Sequence, residues 1–329
     1  MKVEFGRIEQ FIEWYSESLR NWDADPAIWQ INYLNKRYEH NTEEKLWLSW
    51  LYGNTYQLPS AWVIKNEFPD YELVGHDRLR EWNTKNYKRL RYQTDTKYNK
   101  GHLPVMFASY ENFIGKKEQD AVLRSYFGDN EKQSFLNLWD AINKNYYKFG
   151  RYTTWFYMQT LAMTCGFPIE APSLYFNDFS GSTAHRNGML RACGWDSKID
   201  EKLDKIEYET LELIAADIIS EVNKRSPELR SQNNLFMMES CLCSFGKLFR
   251  NYKFRWIGYY LARQREEIRI AETDNWTGIE WNVLWDSRKE TIDSSLLNHK
   301  STDIATNEYL FTKKIPYWRD NKPLDALFI

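Results

Sequence analysis

Residues 149–194 read FGRYTTWFYMQTLAMTCGFPIEAPSLYFNDFSGSTAHRNGMLRACG. The first third has helical character and carries Trp155 and Tyr157. Gly166–Ser182 follows, with two prolines, two glycines and no helical period, and a second helical stretch then runs from Ala184 to Cys193. This order predicts helices joined by a loop that is longer than most connections, and such loops are more often functional than decorative.

Most of the chain repeats the i, i+3, i+4 apolar spacing of an amphipathic helix, as in residues 8–19. Asn41 followed by Glu44 is typical of the capping box that opens a helix. The chain has 15 Trp, 22 Tyr and 18 Phe but only 14 Gly and 9 Pro, so bulky rings are many and helix breakers few. These features predict an all-α, multi-helix globular fold and disfavour a glycine-rich sandwich or a doubly wound nucleotide fold. The predicted core consists of Trp14, Leu46, Trp50, Trp62, Leu138, Phe156, Leu161, Leu213, Phe245 and Leu284.

The order of these segments predicts four parts along the chain. We expect an N-terminal helical part with a basic helix over 1–92, and a loop or linker over the polar, turn-prone 93–109. The main helical domain, which carries the candidate site, is expected over 110–300. An irregular C-terminal tail is expected over 301–329.

Positive charge is concentrated in residues 76–92, although the whole chain is nearly balanced, with 44 Lys and Arg against 46 Asp and Glu. The near balance excludes an extended basic tail for nucleic acid and leaves room for a local basic face. The cations predicted to contact DNA phosphates are Arg78, Lys85, Lys88, Arg89 and Arg91. A solvated helix face explains the same pattern equally well.

Several classes of protein are disfavoured by what the sequence lacks. The four cysteines include no CxxC pair and the five histidines are widely spaced, so we expect neither a metal site nor a cofactor. Residues 245–248 (FGKL) lack the first glycine and the hydroxyl residue of a P-loop, which excludes a P-loop kinase. No signal peptide or apolar run of about 20 residues is present, which predicts a soluble protein of the cytoplasm with no membrane partner.

The junction of the long loop with the following helix is the strongest candidate site. Gly181-Ser182 opens that helix, where unpaired backbone N–H groups favour an anion, and Arg186 adds a guanidinium suited to phosphate. Asp178 and His185 lie in the same stretch, so an acid, an imidazole and an arginine come together. A capped helix in which Asp178 braces the loop explains these residues without a catalytic role.

A second cluster lies near residues 276–288, where Trp276, Trp281 and Trp285 stand beside polar turn residues. Ordinary helix pairing and ring packing account for most of this pattern. A stacking surface for an exposed base, with Trp276 as its candidate residue, is the alternative.

Three stretches resemble one family: FGRYTTWFYMQTLA (149–162), GSTAHRNGM (181–189) and GYYLARQREEI…NWTGIEWNVLWDSR (258–288). They resemble the helical domain of phage thymidine-hypermodification enzymes, which accompanies kinases of hydroxymethyl-deoxyuridine in DNA. The same domain is similar to the stand-alone amino acid:DNA transferases, also called glutamyl/putrescinyl-thymine pyrophosphorylases. The resemblance spans about 46–297.

The resemblance implies a helical fold similar to DNA glycosylases and a definite reaction. A P-loop kinase pyrophosphorylates the hydroxymethyl group of a modified uracil in double-stranded DNA, and an amine or amino acid then displaces the pyrophosphate. Because this chain has no P-loop, the kinase would be a separate partner protein, and the displacement step remains for this chain.

The chemistry of that step suggests a role for each candidate residue. A polyanionic leaving group requires cations, and Arg151 and Arg186 are assigned to the pyrophosphate or to a phosphate of the DNA backbone. A neutral amine requires a base, for which Asp178 is the candidate, with His185 transferring a proton. Asn187 is assigned to the uracil edge, and Trp155 and Tyr157, like Trp276, to stacking on a base taken out of the duplex.

Two other functions stay open at this point. The chain is alternatively a non-catalytic helical module that binds DNA for a separate modifying enzyme. A base-excision glycosylase is the second alternative, and it is disfavoured because no clear helix-hairpin-helix turn is present; Leu73-Val74-Gly75 is a poor match. If a phage encodes this chain, it would act in the cytoplasm of the host cell.

Overall fold

A computed structural model describes residues 3–93, 96–115, 117–250 and 259–292 of the chain. These residues form fourteen α-helices and four short 3₁₀-helices, and no strand occurs among them. The all-α prediction is therefore confirmed. The predicted tail, 301–329, lies outside the described residues. The α-helices are α1 Phe5–Arg20, α2 Pro26–Arg37, α3 Thr42–Thr55, α4 Leu58–Glu67, α5 His76–Asn86, α6 Leu103–Ile114, α7 Gln119–Arg124, α8 Glu131–Asn145, α9 Arg151–Cys165, α10 Ala184–Ala192, α11 Lys205–Arg225, α12 Leu235–Arg250, α13 Tyr259–Thr273 and α14 Asn282–Thr291.

Local chemistry sets the starts of several helices. The predicted capping box of α3 is present, since Glu44 N donates to Asn41 Oδ1 at 3.0 Å and Asn41 N donates to Glu44 Oε2 at 2.9 Å. Asp204 and Glu207 form a second capping box at the start of α11. Each box satisfies backbone N–H groups that have no partner within the helix. No helix in the described ranges is long and apolar enough to span a membrane.

The described residues fall into two compact units, each assembled from separate stretches of chain. We call ranges 3–26, 173–250, 259–264 and 289–292 the pocket unit. We call ranges 27–93, 96–115, 117–172 and 265–288 the aromatic unit. The sequence alone predicted consecutive segments, whereas the units are interleaved along the chain. One boundary falls inside the long loop, between Pro172 and Ser173.

The aromatic unit is centred on α3 packed against α9. Gly53 permits this contact, because a Cβ atom added there would lie 2.8 Å from the Cβ of Tyr157. Around the pair, Trp50 stacks on Trp47 with ring centroids 5.2 Å apart and lies 5.0 Å from Tyr110. Rings of this size bury large apolar areas, which explains the aromatic-rich composition.

The pocket unit is centred on α10 packed against α12. Gly188 is the point of closest approach, because a Cβ atom there would lie 2.0 Å from the carbonyl oxygen of Leu242. α1 covers the same pair, and its Phe11 meets Phe245 edge-on with ring centroids 5.1 Å apart. Backbone of α10 thus touches backbone of α12.

Nine of the ten predicted core residues are buried, and Leu213 is wrong, since it is 67% exposed. The buried face of α11 consists of Leu211, Ala215, Ile218 and Val222. Leu213 lies two residues from Leu211, about 200° around the helix, and so projects away from this face.

Residues 103–109, which we expected in a loop, form the first part of α6. Proline near the first position, here Pro104, suits a helix start because its missing N–H is not needed there. Leu103, Phe107 and Tyr110 then point into the core of the aromatic unit. The polar stretch before Lys100 remains free of α-helix where it is described.

Candidate active site

The long loop and the segment before α11 enclose an open pocket of about 450 Å³ in the pocket unit. It is lined by Tyr175, Asn177, Asp178, Lys202 and Tyr208. The volume is in the range that small-molecule sites occupy in proteins. The lining combines a carboxylate, an ammonium and two phenol rings, a set able to bind a ligand that carries both charges.

Two segments form the walls of the pocket, and a side chain joins them directly. The first wall, 173–178 of the long loop, contributes Tyr175, Asn177 and Asp178 to the lining, and the second, 198–203, contributes Lys202. Tyr208 of α11 completes the lining. Asn177 Nδ2 donates to the carbonyl oxygen of Leu203 at 3.0 Å, and Leu203 N donates to Asn177 Oδ1 at 3.1 Å. This pair of bonds holds the walls at a set separation.

A tight turn places Asp178 in the first wall. Tyr175 has a left-handed backbone with φ of 52°, and Asp178 N donates to the Tyr175 carbonyl oxygen at 2.9 Å. Asp178 Oδ1 accepts from Ser180 N at 2.8 Å. The carboxylate therefore both lines the pocket and braces the loop, so both sequence interpretations of Asp178 describe part of its environment.

A carboxyl group with a raised pKa stands next to the pocket. Burial raises the pKa of Glu212 above its usual value, and its Oε2 accepts from Leu174 N at 3.4 Å. Ser173 Oγ lies 3.3 Å from Tyr208 Oη, and burial also raises the pKa of that phenol. Both residues belong to α11, so this helix contributes Tyr208 to the lining and supports the first wall through Glu212.

His185 is buried behind the first wall. Its side chain is 1% exposed, its Nε2 lies 2.9 Å from the carbonyl oxygen of Leu174, and its Nδ1 lies 3.4 Å from Glu239 Oε1. Because a carbonyl oxygen can only accept, Nε2 carries a hydrogen. Both ring nitrogens of His185 thus face acceptors within the protein.

Arg186 faces the second wall and is also 1% exposed. Its guanidinium donates to the carbonyl oxygens of Ile199 at 2.6 Å and Lys198 at 3.0 Å, and to that of Glu201. Burial lowers the pKa of Arg186. The predicted anion-binding arginine therefore binds main-chain oxygens, and Asn187 beside it is buried at 5% exposure.

The other predicted residues belong to the aromatic unit. Trp155 and Tyr157 are 5% and 0% exposed, so neighbouring protein covers their rings, and stacking on a base would require uncovering them. Both lie on α9, which is buried on nearly every side, and Arg151 is the half-buried first residue of that helix. Trp276 is half-buried beneath Arg89, whose guanidinium carbon lies 3.9 Å from a Trp276 ring centroid.

The basic segment carries less unpaired charge than its composition indicates. Arg78 pairs with Glu67 at 3.0 Å and Lys85 with Glu81 at 2.6 Å. Lys88 is exposed and forms no ion pair with the described part of the chain. It is the predicted DNA contact whose charge is most available.

The last two cations of this segment hold a loop in place. Arg89 Nη2 donates to the carbonyl oxygen of Asp274 at 2.6 Å, and Arg91 pairs with the Asp274 carboxylate at 3.0 Å. Their side chains thus hold residues 274–276, the turn that carries Trp276.

Sequence reasoning missed four of the five pocket residues. Tyr175 and Asn177 lie in the loop that was singled out, but only Asp178 stood out as chemistry-bearing. Lys202 and Tyr208 lie more than twenty residues further on, and no spacing linked them to the loop. Among the described residues, no group of three or more His, Cys, Asp or Glu side chains is placed to hold a metal ion.

Known proteins place the chain in a family. A serinyltransferase of Salmonella phage ViI is 28% identical over 279 residues, which cover 79% of this chain and 66% of the relative. The chain thus spans just under two thirds of that relative. No solved structure matches the chain, so the predicted likeness to DNA glycosylases stays a prediction. The family profile described as amino acid:DNA transferase matches residues 23–253, which include every residue lining the pocket. As the sequence resemblance predicted, the chain belongs to the amino acid:DNA transferase family.

Proposed function

We propose that this chain is a phage DNA-modifying transferase that replaces the pyrophosphate of a pyrophosphorylated hydroxymethyluracil in DNA with an amino acid or another amine. The observation that carries the proposal is the family match over 23–253, within which the pocket lies. The substrate is double-stranded DNA already modified by a separate P-loop kinase, and the reaction takes place in the host cell.

The displacement forms one bond and breaks another at a single carbon atom. The amine nitrogen forms a bond to the exocyclic methylene carbon, the carbon–oxygen bond breaks, and pyrophosphate leaves with the electron pair. The attacking nitrogen must lose a proton, and we assign its acceptance to Asp178, a carboxylate that lines the pocket.

Lys202 and the two phenol groups complete the proposed site. An ammonium group stabilises negative charge that develops on the leaving oxygen or on the carboxylate of an incoming amino acid. Tyr175 and Tyr208 offer ring surface and hydroxyl groups around it. The base leaves the duplex before it reacts, as it must for any enzyme that acts on a base.

Mass spectrometry of nucleosides tests the function. Phagemid DNA is produced in cells that express the thymidine-modifying kinase, with and without this protein. The DNA is then digested to nucleosides. We expect an aminated thymine derivative only when both proteins are present. Pyrophosphorylated base that persists in the presence of this protein would instead favour the accessory DNA-binding module, and abasic sites would favour the glycosylase.

A single substitution tests the site. Asp178→Asn keeps the size of the side chain and removes its charge, so product formation should fall about 10²–10⁴-fold, as for a lost general base. Asp217→Asn is the matched control, because Asp217 is an exposed carboxylate on α11 that does not line the pocket. Equal activity of the two variants would move the base to another residue.

A further inference from the structure

We infer that His185 and Arg186 are positioning residues, each of which fixes one wall of the pocket through hydrogen bonds to main-chain carbonyl groups. The inference deepens the proposed function and rests on it for its kinetic test. It replaces the direct contacts with substrate that the sequence pattern indicated for these two residues.

His185 fixes the first wall at Leu174. The imidazole Nε2 donates its hydrogen to the Leu174 carbonyl oxygen at 2.9 Å. The backbone N–H of Leu174 donates to Glu212 Oε2 at 3.4 Å. Both polar groups of one peptide residue are thus held by side chains from two helices, α10 and α11. The ring also stacks on Phe176, with ring centroids 6.0 Å apart. Tyr175, between them, is held in the pocket.

Arg186 fixes the second wall at three points. Its two terminal nitrogens bind the carbonyl oxygens of Lys198, Ile199 and Glu201, so the segment curls around the guanidinium. Lys202 follows directly and lines the pocket. A planar, forked guanidinium reaches several acceptors at once, which an ammonium on a single stem cannot do.

The two residues are consecutive on α10, so one rigid helix sets both walls. Gly188, two residues after Arg186, lies against the main chain of α12 and leaves α10 no room to shift in that direction. Catalytic groups that are misplaced by about 1 Å lose about 10²-fold in rate. Because α10 carries both clamps, it acts together with the Asn177–Leu203 hydrogen bonds to hold the two walls in place.

Conservative substitutions separate positioning from direct chemistry because the two roles predict opposite results. Glutamine at 185 keeps an N–H donor near the place of Nε2 but cannot transfer a proton. We expect His185→Gln to stay within about tenfold of wild type and His185→Ala to lose about 10²-fold in kcat/KM for the amine. Proton transfer by His185 predicts a loss of about 10²–10⁴-fold in both variants, which would overturn the inference.

The Arg186→Lys variant is the converse test. It keeps the positive charge and can bind a phosphate as a point charge, but it cannot span three carbonyl groups. We expect Arg186→Lys to lose about 10²-fold in kcat/KM, while an Arg186 that contacts pyrophosphate predicts activity close to wild type. Arg191→Lys is the control on the same helix, since the Arg191 guanidinium donates to the Gly246 carbonyl oxygen at 3.0 Å and lies 4.0 Å from the carboxylate of Asp196, which precedes the second wall.

Amide hydrogen exchange measures the clamps without any reaction. Faster exchange confined to 174–178 in His185→Ala and to 199–203 in Arg186→Lys, with α1 and α12 unchanged, supports the inference. Unchanged exchange in these segments overturns it. If wild type makes no aminated base yet the exchange pattern appears, the proposed function fails while the two clamps stand.

Discussion

The two units of this protein use glycine at the centre of a helix pair for different ends. In the aromatic unit, Gly53 on α3 makes room for the side chain of Tyr157, and the gain is a layer of packed rings. In the pocket unit, Gly188 on α10 meets the main chain of α12 at Leu242, and the gain is a rigid helix beneath the pocket. The Gly53 contact contributes to the stability of the core, and the Gly188 contact fixes the position of α10.

Both units bury polar groups in their cores. The aromatic unit closes its core with phenols, and burial raises the pKa of Tyr110 and Tyr146 well above the usual value. The pocket unit buries His185 and Arg186, whose hydrogen bonds to main chain offset the cost of removing them from water. The aromatic unit also buries His40, Lys65 and Arg288, so buried imidazoles and cations occur in both units.

The largest effect is expected from closing the glycine contacts. Gly188→Ala places a Cβ 2.0 Å from a carbonyl oxygen that belongs to a helix, so a backbone must move. We expect the free energy of unfolding to fall by about 3 kcal/mol or more. Gly53→Ala meets the Cβ of Tyr157 at 2.8 Å and should cost about 1–3 kcal/mol. Urea unfolding measures both.

Gly6→Ala is the control for these variants. Gly6 is the second residue of α1 and has no described atom within 4 Å of an added Cβ, so the better helix propensity of alanine should leave stability unchanged or raise it by less than about 1 kcal/mol. If Gly188→Ala behaves like Gly6→Ala, α10 and α12 are not in backbone contact.

The next effect is a response to pH that has opposite sign in the two units. Burial and Lys65 lower the pKa of His40, in the aromatic unit, from 6.5 to about 4, so protonation opposes folding and stability falls as the pH drops from about 6.5 toward 4. In the pocket unit the pKa of Glu212 is raised above 4.5, so the cost of burying its charge is relieved as the pH falls toward 4.5.

Hydrogen exchange at pH 7 and pH 5 resolves the two units. Protection of α3 should decrease at pH 5, and His40→Gln should remove this decrease. Protection near α11 should hold or rise, and Glu212→Gln should flatten that response. A parallel loss in both units that neither substitution alters would contradict the assignment.

The smallest effect separates DNA binding from chemistry. Lys88→Ala in the aromatic unit should lower the salt dependence of binding to unmodified DNA by about one unit of slope, as for one lost phosphate contact. Lys202→Ala in the pocket unit should leave that slope unchanged and reduce amination. Gel retardation over a series of salt concentrations makes the comparison. A slope that responds to Lys202 and not to Lys88 would place the DNA on the other unit.

Particular residues show which features of the structure the sequence can predict. Asn41 and Glu44 were predicted as a capping box and are one, because both partners lie within one turn. Leu213 was placed in the core by its hydrophobicity and is exposed, because no element of the described chain covers its side of α11. His185 and Arg186 were predicted to contact substrate, and their observed partners include main-chain oxygens. Leu174 lies in the long loop that was singled out and residues 198–201 lie beyond the stretch 149–194, but no local pattern predicted either contact.

By itself, the sequence determined the all-helical class, the family and the loop that carries Asp178, because these depend on bonds within about four residues or on short motifs. Only the tertiary structure decided the interleaved units, the pocket and the difference between a side chain in the pocket and one behind it. Burial is a property of what covers a residue, and the covering segments of Arg186 and Tyr157 come from distant parts of the chain. The Arg186 guanidinium, which the sequence pattern predicted to bind an anion, therefore holds main-chain carbonyl groups in the folded protein.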